Sequence, residues 1–345
     1  MNNYNLTSHQ RINAFSLLGY HMRELPADLR VLIEQAKLHN SWFTAEYTRA
    51  AVAAIADNLT TAKLSQWVDP YLPDLDQPTN KVVGLILAGN IPLVGFHDIL
   101  TSLIAGFRVQ IKLSSDDNKL IPYLLNHLIS IEPAFANFIQ YTDRLKDFDL
   151  IIATGSNNTS RYFEYYFKHV PYIIRKNRNS VAVIHGDEST EELQPLGYDL
   201  FDYFGLGCRN VSKIYFPENY DFRRFFEAIE PFHDVSNHHK YHNNYDYNKS
   251  IYLVNGETHL DNGFLLLKED ERLASPLAVA YYQIYKDVDT LISQLNAQRE
   301  QIQCIVSNQA MEVLAPCFSL GKSQQPALDD YADGVNTLEF LIQHK

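Results

Sequence analysis

Three things are scarce in this chain, and each scarcity removes a class of protein. Cysteine occurs three times in 345 residues, too few and too odd a number for the disulfide framework of a secreted scaffold. Lysine and arginine number 29 against 41 aspartates and glutamates, a net charge of −12. The pI is near 5.5. Phosphate recognition needs basic groups that displace counterions, so no nucleic-acid partner is expected. No window of 18 uninterrupted apolar residues occurs, so no membrane-spanning helix is expected. The opening Met1-Asn2-Asn3-Tyr4-Asn5 lacks the basic and then apolar regions of a secretory signal. The phosphate-loop patterns GxGxxG and GxxxxGKS/T are missing too, as is any fixed internal repeat. What remains is ordinary globular usage, 46% hydrophobic and 20% charged. It reads as a cytoplasmic α/β protein of roughly two domains.

Short β-branched runs alternate with amphipathic stretches, the pattern of βα units around a largely parallel sheet. Strands are expected over residues 82–88, 109–113, 150–154, 180–184, 213–216, 251–254 and 304–307. The clearest helix follows the first strand. Phe96, Ile99, Leu100, Leu103, Ile104 and Phe107 form one continuous helical face. A second helix is expected over residues 287–300, with Val288, Leu291, Ile292 and Leu295 on one side. The first 80 residues read differently: helical from 7 to about 64, then a polar stretch, 69–80, whose three prolines suggest a linker or arm. Residues 233–248, rich in His, Asn, Asp and Tyr, read as a surface loop.

Several segments have the residue types that chemistry requires. Leu87-Ala88-Gly89-Asn90-Ile91-Pro92-Leu93 is a strand end and tight turn before the amphipathic helix. Ligands of open α/β sheets bind at the carboxyl ends of strands, where Asn90 would offer an amide donor. Gly89 and Asn90 would also serve simply to make the turn. Ile151-Ile152-Ala153-Thr154-Gly155-Ser156 is a second strand ending in a small-residue turn, a place for a cofactor or an ordinary βα loop. Lys112 ends another strand, where it meets a ribose or phosphate or is a solvated edge lysine. Phe204-Gly205-Leu206-Gly207-Cys208-Arg209-Asn210-Val211-Ser212-Lys213 sets a cysteine in a glycine-containing turn. Neighbouring cations and amides lower a thiol's pKa, and the thiolate is the nucleophile, although a lone cysteine is as often structural. Cys304 lies in an apolar run and Cys317 follows Ala315-Pro316, so both are expected to be buried or inert. Arg175-Lys176-Asn177-Arg178 is a basic cluster that binds the phosphates of a nucleotide or coenzyme A, or is a solvated turn. His233, His238, His239 and His242 match no zinc spacing, and no metal is expected.

Taken in order, these segments resemble the aldehyde dehydrogenase superfamily. More closely, they resemble its acyl-CoA reductase family, which includes the fatty-acid reductase subunit of bacterial luminescence systems. The resemblance covers residues 80–345 and is most specific over 204–213 and 175–183, and the run Asp330-Tyr331-Ala332-Asp333-Gly334-Val335 shares it. It implies an aldehyde-dehydrogenase-like α/β fold with two Rossmann-like three-layer α/β/α domains. Residues 1–200 would hold an N-terminal helical segment and the nucleotide-binding domain, 201–315 the catalytic domain, and 316–345 a segment packing back on the core. By the same resemblance, Asn90, followed by Pro92, is the oxyanion donor and Cys208 the nucleophile. Lys112, Thr154, Gly155 and Ser156 contact the cofactor; Arg175 and Arg178 of the basic cluster are expected to bind it as well.

The departures from the superfamily pattern sharpen the expectation. Hydrolytic members have a glutamate that activates water in an ELGG segment, where this chain reads Arg175-Lys176-Asn177-Arg178. The glutamate of an ExFGP segment has only Glu271-Arg272-Leu273-Ala274-Ser275-Pro276 as its nearest counterpart. The resemblance therefore implies reduction of an acyl-CoA substrate through an acyl-cysteine, with NADPH, or NADH, as cofactor. It also implies a homo-oligomer. The alternatives are a hydrolytic or phosphorylating aldehyde dehydrogenase, and a non-catalytic protein retaining the fold.

Overall fold

The computed structural model describes residues 6–155 and 157–345. Two compact units divide the chain: Met1–Lys176 with Ala327–Lys345, and Asn177–Pro326. The first unit opens with helices α1 (Ser8–Glu24), α2 (Ala27–His39), α3 (Ala45–Asn58) and α4 (Thr61–Val68). Thr7, Thr44 and Thr60 cap three of them, each accepting a backbone N–H of the first turn. The proline-containing stretch after α4 is no free linker or arm. It holds a short helix, α5 (Leu72–Leu75), whose Leu75 is buried. Asp76 there accepts the Ser8 N–H at 2.5 Å and its hydroxyl at 3.1 Å. Buried Arg11 locks the same stretch, donating to the carbonyls of Leu75 (2.8 Å), Ile104 (2.9 Å) and Leu6. Desolvation pulls its pKa down to about 10.

The sheet of this unit follows: β1 (Val82–Ile86), α6 (Phe96–Ile104), β2 (Arg108–Lys112), α7 (Leu120–Ile131), β3 (Ile139–Tyr141), β4 (Leu150–Thr154), α8 (Asn157–Phe167) and β5 (Tyr172–Arg175). All its strand pairs are parallel, in the order β3-β2-β1-β4-β5. The chain builds outward from β1 to β2 and β3, then returns to the other side of β1 for β4. The topological switch point, where α/β sheets bind ligands, therefore lies between β1 and β4. Phe96, Ile99, Leu100, Leu103, Ile104 and Phe107 are buried in the core with Val83, Leu85, Val109, Ile111 and Ile152. Each such side chain contributes about 1.5–3 kcal/mol.

The second unit contains β6 (Asn179–Val183), α9 (Thr190–Leu193), α10 (Leu196–Phe201), β7 (Val211–Pro217), α11 (Phe222–Ile229), α12 (His239–Asn255), β8 (Leu260–Asp261), β9 (Leu266–Glu269), β10 (Val279–Tyr285), α13 (Val288–Ala297), β11 (Ile302–Val306) and β12 (Cys317–Phe318). Its strand order is β12-β11-β6-β7-β10-β9-β8, parallel except for the β8–β9 hairpin. Two expectations fail here. Residues 233–248 are not a loop but a 3-10 turn, Glu230–Asn237, and most of α12. The expected strand 251–254 is the end of that helix. Tyr241, Tyr245, Asn248 and Tyr252 are its buried residues, a helical stripe that polar composition conceals. Leu253 and Val254, the apolar residues that suggested a strand, face solvent.

The structure also adds strands that the pattern hides. In β5 one of the buried positions is Arg175, and β10 shows no period-2 alternation of burial. The chain then returns to the first unit with α14 (Thr337–Gln343). Tyr331 is buried and accepts the Trp67 indole N–H at 2.7 Å, while Asp333 and Gly334 both take left-handed backbone as the chain turns.

Candidate active site

In the first unit, Asn90, Lys112, Thr154 and Gly155 gather at the carboxyl end of the sheet. Ile86 of β1 is in register with Lys112 of β2 and Ala153 of β4, which brings the ends of these three strands side by side. Asn90 is exposed on the turn leading from β1 to α6, and Lys112 is exposed at the last position of β2. Thr154 and Gly155 are half-buried at the end of β4, where the Gly155 N–H donates to the Arg175 carbonyl at 3.3 Å. Ser156, the third residue of that turn, lies outside the described residues.

The Asn90 turn is tightly determined. A Cβ on Gly89 would lie 2.4 Å from the Ser114 hydroxyl, so only glycine fits where the two loops meet. Leu93 has φ +60°, a left-handed conformation that is strained for leucine. Its N–H donates to Asp117 Oδ2 at 2.7 Å.

Arg175 occupies the interior of the first unit. It is 5% exposed, and its Nη2 donates to Asp98 Oδ1 at 2.6 Å and to Thr337 Oγ1 at 2.9 Å. Its Nε reaches Asp98 Oδ2 at 3.3 Å and its Nη1 the Ala332 carbonyl at 2.8 Å. Asp98 is the one acid on α6, a helix rich in apolar residues, and an acid in such a stretch is the signal that points to a buried partner. Arg178 belongs to the second unit, where its Nη1 approaches the Ile302 carbonyl at 3.4 Å.

In the second unit Cys208 is exposed, on the turn that enters β7. Tyr203, Phe204 and Gly205 precede it with φ of 52°, 59° and 77°. Left-handed backbone costs each non-glycine residue about 1–2 kcal/mol, so surrounding contacts must impose it. Both rings are buried, and that of Phe204 packs on His238 with centroids 4.2 Å apart. Asn210, 3% exposed, supplies the clamp. Its Oδ1 accepts the Gly207 N–H at 2.8 Å, and its Nδ2 donates to the carbonyls of Asp202 (2.9 Å) and Asp199 (3.1 Å). Ser180, at the start of β6, donates its hydroxyl to the Cys208 carbonyl at 2.9 Å. Nothing in the local pattern assigns either residue a task; an asparagine two positions after the cysteine is the one available signal.

Replacing Asn210 by alanine leaves the Gly207 amide and two carbonyls without this partner. Each such loss costs about 1–3 kcal/mol. The second unit should lose about 3 kcal/mol or more of stability in urea unfolding. An unchanged unfolding midpoint would show that the turn holds its shape by other means.

The environment of Cys208 differs from the expectation in one respect. Lys213 does not serve the thiol. It is fully buried, and its ammonium donates to the Glu271 carbonyl at 2.8 Å and to Gln283 Oε1 at 3.0 Å. Burial pulls its pKa down to about 8. Arg209 lies with its guanidinium 5.7 Å from the centroid of the Phe318 ring. Cys304 is buried with its sulfur 3.1 Å from the Ser180 hydroxyl, and burial pushes its thiol up to about 12. Cys317 is exposed on the edge strand β12 rather than buried, and desolvation still raises its pKa.

No protein-family model matches this sequence, and no curated protein matches it. The fold, by contrast, has close counterparts among solved structures. Aldehyde dehydrogenase 21 from Physcomitrella patens, in complex with succinate, matches with a TM-score of 0.69 at 13% identity, over 98% of this chain and 84% of that one. An aldehyde dehydrogenase from Mycobacterium tuberculosis, complexed with NAD+, matches with a TM-score of 0.68 at 12% identity and the same coverage. An indole-3-acetaldehyde dehydrogenase, also complexed with NAD+, matches with a TM-score of 0.69 at 10% identity, over 98% and 83% of the two chains. This chain therefore has the aldehyde dehydrogenase fold.

Proposed function

We propose that this protein reduces an acyl-CoA thioester to an aldehyde through an acyl-cysteine on Cys208. The observation that carries the reading is the Cys208 turn. An exposed thiol stands on strained backbone held by a buried asparagine, while the other thiols are buried or on an edge strand with raised pKa. Strained, over-determined backbone of this kind concentrates at active sites. Conversion to a reductase of thioesters, rather than a hydrolase, is supported by the stretch 175–178, which has no glutamate to activate water.

The first unit suits a nicotinamide dinucleotide. Its parallel sheet has a switch point between β1 and β4, and the groups there are an exposed ammonium, a threonine hydroxyl and a glycine turn. In this reading Lys112, Thr154, Gly155 and Ser156 hold the ribose and phosphates, and Arg178 is a further cofactor-binding residue. Arg175 serves by fixing the end of β5 beside Thr154. NADPH is the proposed cofactor and NADH the alternative; when bound, it supplies the hydride that reduces the acyl carbon.

The protein's own steps are these. The Cys208 thiolate attacks the carbonyl carbon of the thioester, and the carbonyl electron pair moves onto oxygen. The Asn90 amide and the Cys208 N–H donate to that oxyanion, about 3–4 kcal/mol per donor. The C–S bond to coenzyme A breaks, and its sulfur leaves as thiolate to take a proton from solvent. After reduction, the resulting thiohemiacetal on Cys208 loses its hydroxyl proton and expels the Cys208 thiolate, releasing aldehyde.

Intact mass spectrometry tests the reading. Mixed with palmitoyl-CoA or a shorter acyl-CoA in the absence of cofactor, the protein should gain one acyl group. Addition of NADPH should then discharge it as aldehyde. An adduct that neither NADPH nor NADH discharges, or no adduct over a range of chain lengths, would overturn it. Oxidation of aldehydes with NAD+ in that case would favour a conventional aldehyde dehydrogenase.

A further inference from the structure

Asp117 is a buried acid with no part in the chemistry above. It lies between β2 and α7 and is 3% exposed. Its Oδ2 accepts the N–H of Leu93 at 2.7 Å, three residues past Asn90. Its Oδ1 is buried without a hydrogen-bond partner. The charged groups around it are few. Asp116 and Lys119 on its own loop, and His39 at the end of α2, line with it a cavity of about 10 Å³, at the lower limit of what can hold one water. None of them forms an ion pair with it.

We propose that Asp117 is the positioning residue of the Asn90 turn: its carboxylate holds Leu93 in left-handed backbone and thereby aims the Asn90 amide at the oxyanion. Leu93 needs such a hold because φ +60° is unfavourable for a leucine. An ionised acceptor bonds an N–H about twice as strongly as a neutral one. The arrangement costs stability. Desolvation raises the acid to about 6, so the folded chain retains a proton between roughly pH 4 and 6 that the unfolded chain releases. Folding is accordingly less favoured once the pH rises past that window. A charge retained at that cost, bonded to the loop that carries the proposed oxyanion donor, is accounted for by what it holds.

This inference rests on the reading of Asn90 as oxyanion donor, and its test separates the two. The quantities measured are the rate of Cys208 acylation by palmitoyl-CoA and the hydrogen exchange of the Leu93 amide. Asp117→Ala should slow acylation about tenfold or more with little change in the affinity for acyl-CoA, because a small displacement of a catalytic group is costly. Asp117→Asn, which keeps an acceptor, should restore most of the rate at pH 7. It should also remove the part of the fall in rate below pH 6 that the wild type owes to Asp117. Asn90→Ala and Asp117→Ala together should be no slower than Asn90→Ala alone.

Full acylation by Asp117→Ala, or additive losses in the double variant, would overturn the proposal. Should the wild type accept no acyl group, the functional reading fails, and Leu93 exchange decides the positioning role alone. Protection in wild type and Asp117→Asn that vanishes in Asp117→Ala upholds it; equal protection in all three sinks it.

Discussion

Replacing Cys208 by alanine should abolish acyl-enzyme formation and reduce turnover by about 10⁴-fold or more, the scale of losing a covalent nucleophile. The expectation is specific to this cysteine for a physical reason. Cys304 is enclosed beside Ser180 with its thiol raised to about 12, so it stays protonated at neutral pH. A protonated, buried thiol neither attacks a thioester nor is reached by one. Cys317 is exposed, but its thiol is also shifted upward. Iodoacetamide at pH 7.5 should therefore label Cys208 well before the other two. Peptide mapping of the first alkylation product checks this. Equal labelling of all three only after denaturation, together with unchanged turnover in Cys208→Ala, would remove the nucleophile from the proposal.

Breaking the Arg175–Asp98 pair should have the largest effect on stability. The two side chains are 7% and 10% exposed, and their closest contact is 2.6 Å. Arg175 also donates to the Ala332 carbonyl and Thr337, so the returning segment 327–345 is fastened to β5 through the same guanidinium. Removing one partner of a buried pair strands the other charge, at a cost of about 3–5 kcal/mol. Asp98→Ala should thus lower the melting temperature of the first unit by roughly 10 °C, taking about 2–4 °C per kcal/mol for a unit of this size. Asp98→Leu with Arg175→Met replaces both charges by apolar groups and should recover much of that loss. Differential scanning calorimetry of the three proteins decides the matter. A single variant as stable as wild type would show that the pair is not fastening the unit.

How far the fold could be read from the chain differs from element to element. The helix α6 was legible because its apolar residues recur at helical spacing, and all of them are buried. The strand β4 was legible from an unbroken apolar run, Leu150 to Ala153, which is how a strand buried on both faces reads. By contrast, α12 was misread as a loop and a strand. Its buried stripe is made of tyrosines and an asparagine, residues that composition assigns to the surface. The stretch 69–80 was misread because prolines suggested a linker, whereas short helical turns tolerate proline in their first positions.

The candidate site divides in the same way. Asn90, Lys112, Thr154 and Gly155 stand at strand ends, and strand ends are a local property of sequence, as is a cysteine among glycines. Local pattern alone thus determined which turns had the residue types for chemistry, and that the chain is an acidic α/β protein with few thiols. It could not determine which polar side chains turn inward, because that depends on partners distant in the chain. Arg175 finds Asp98 across 77 positions, and Lys213 finds Gln283 across 70. Asp117 reaches back 24 residues to the Leu93 amide. A buried charge must be satisfied wherever the packing leaves a partner. Only the tertiary structure decided that Arg175 fastens the first unit, that Lys213 is turned away from Cys208, and that an aspartate stands behind the Asn90 turn.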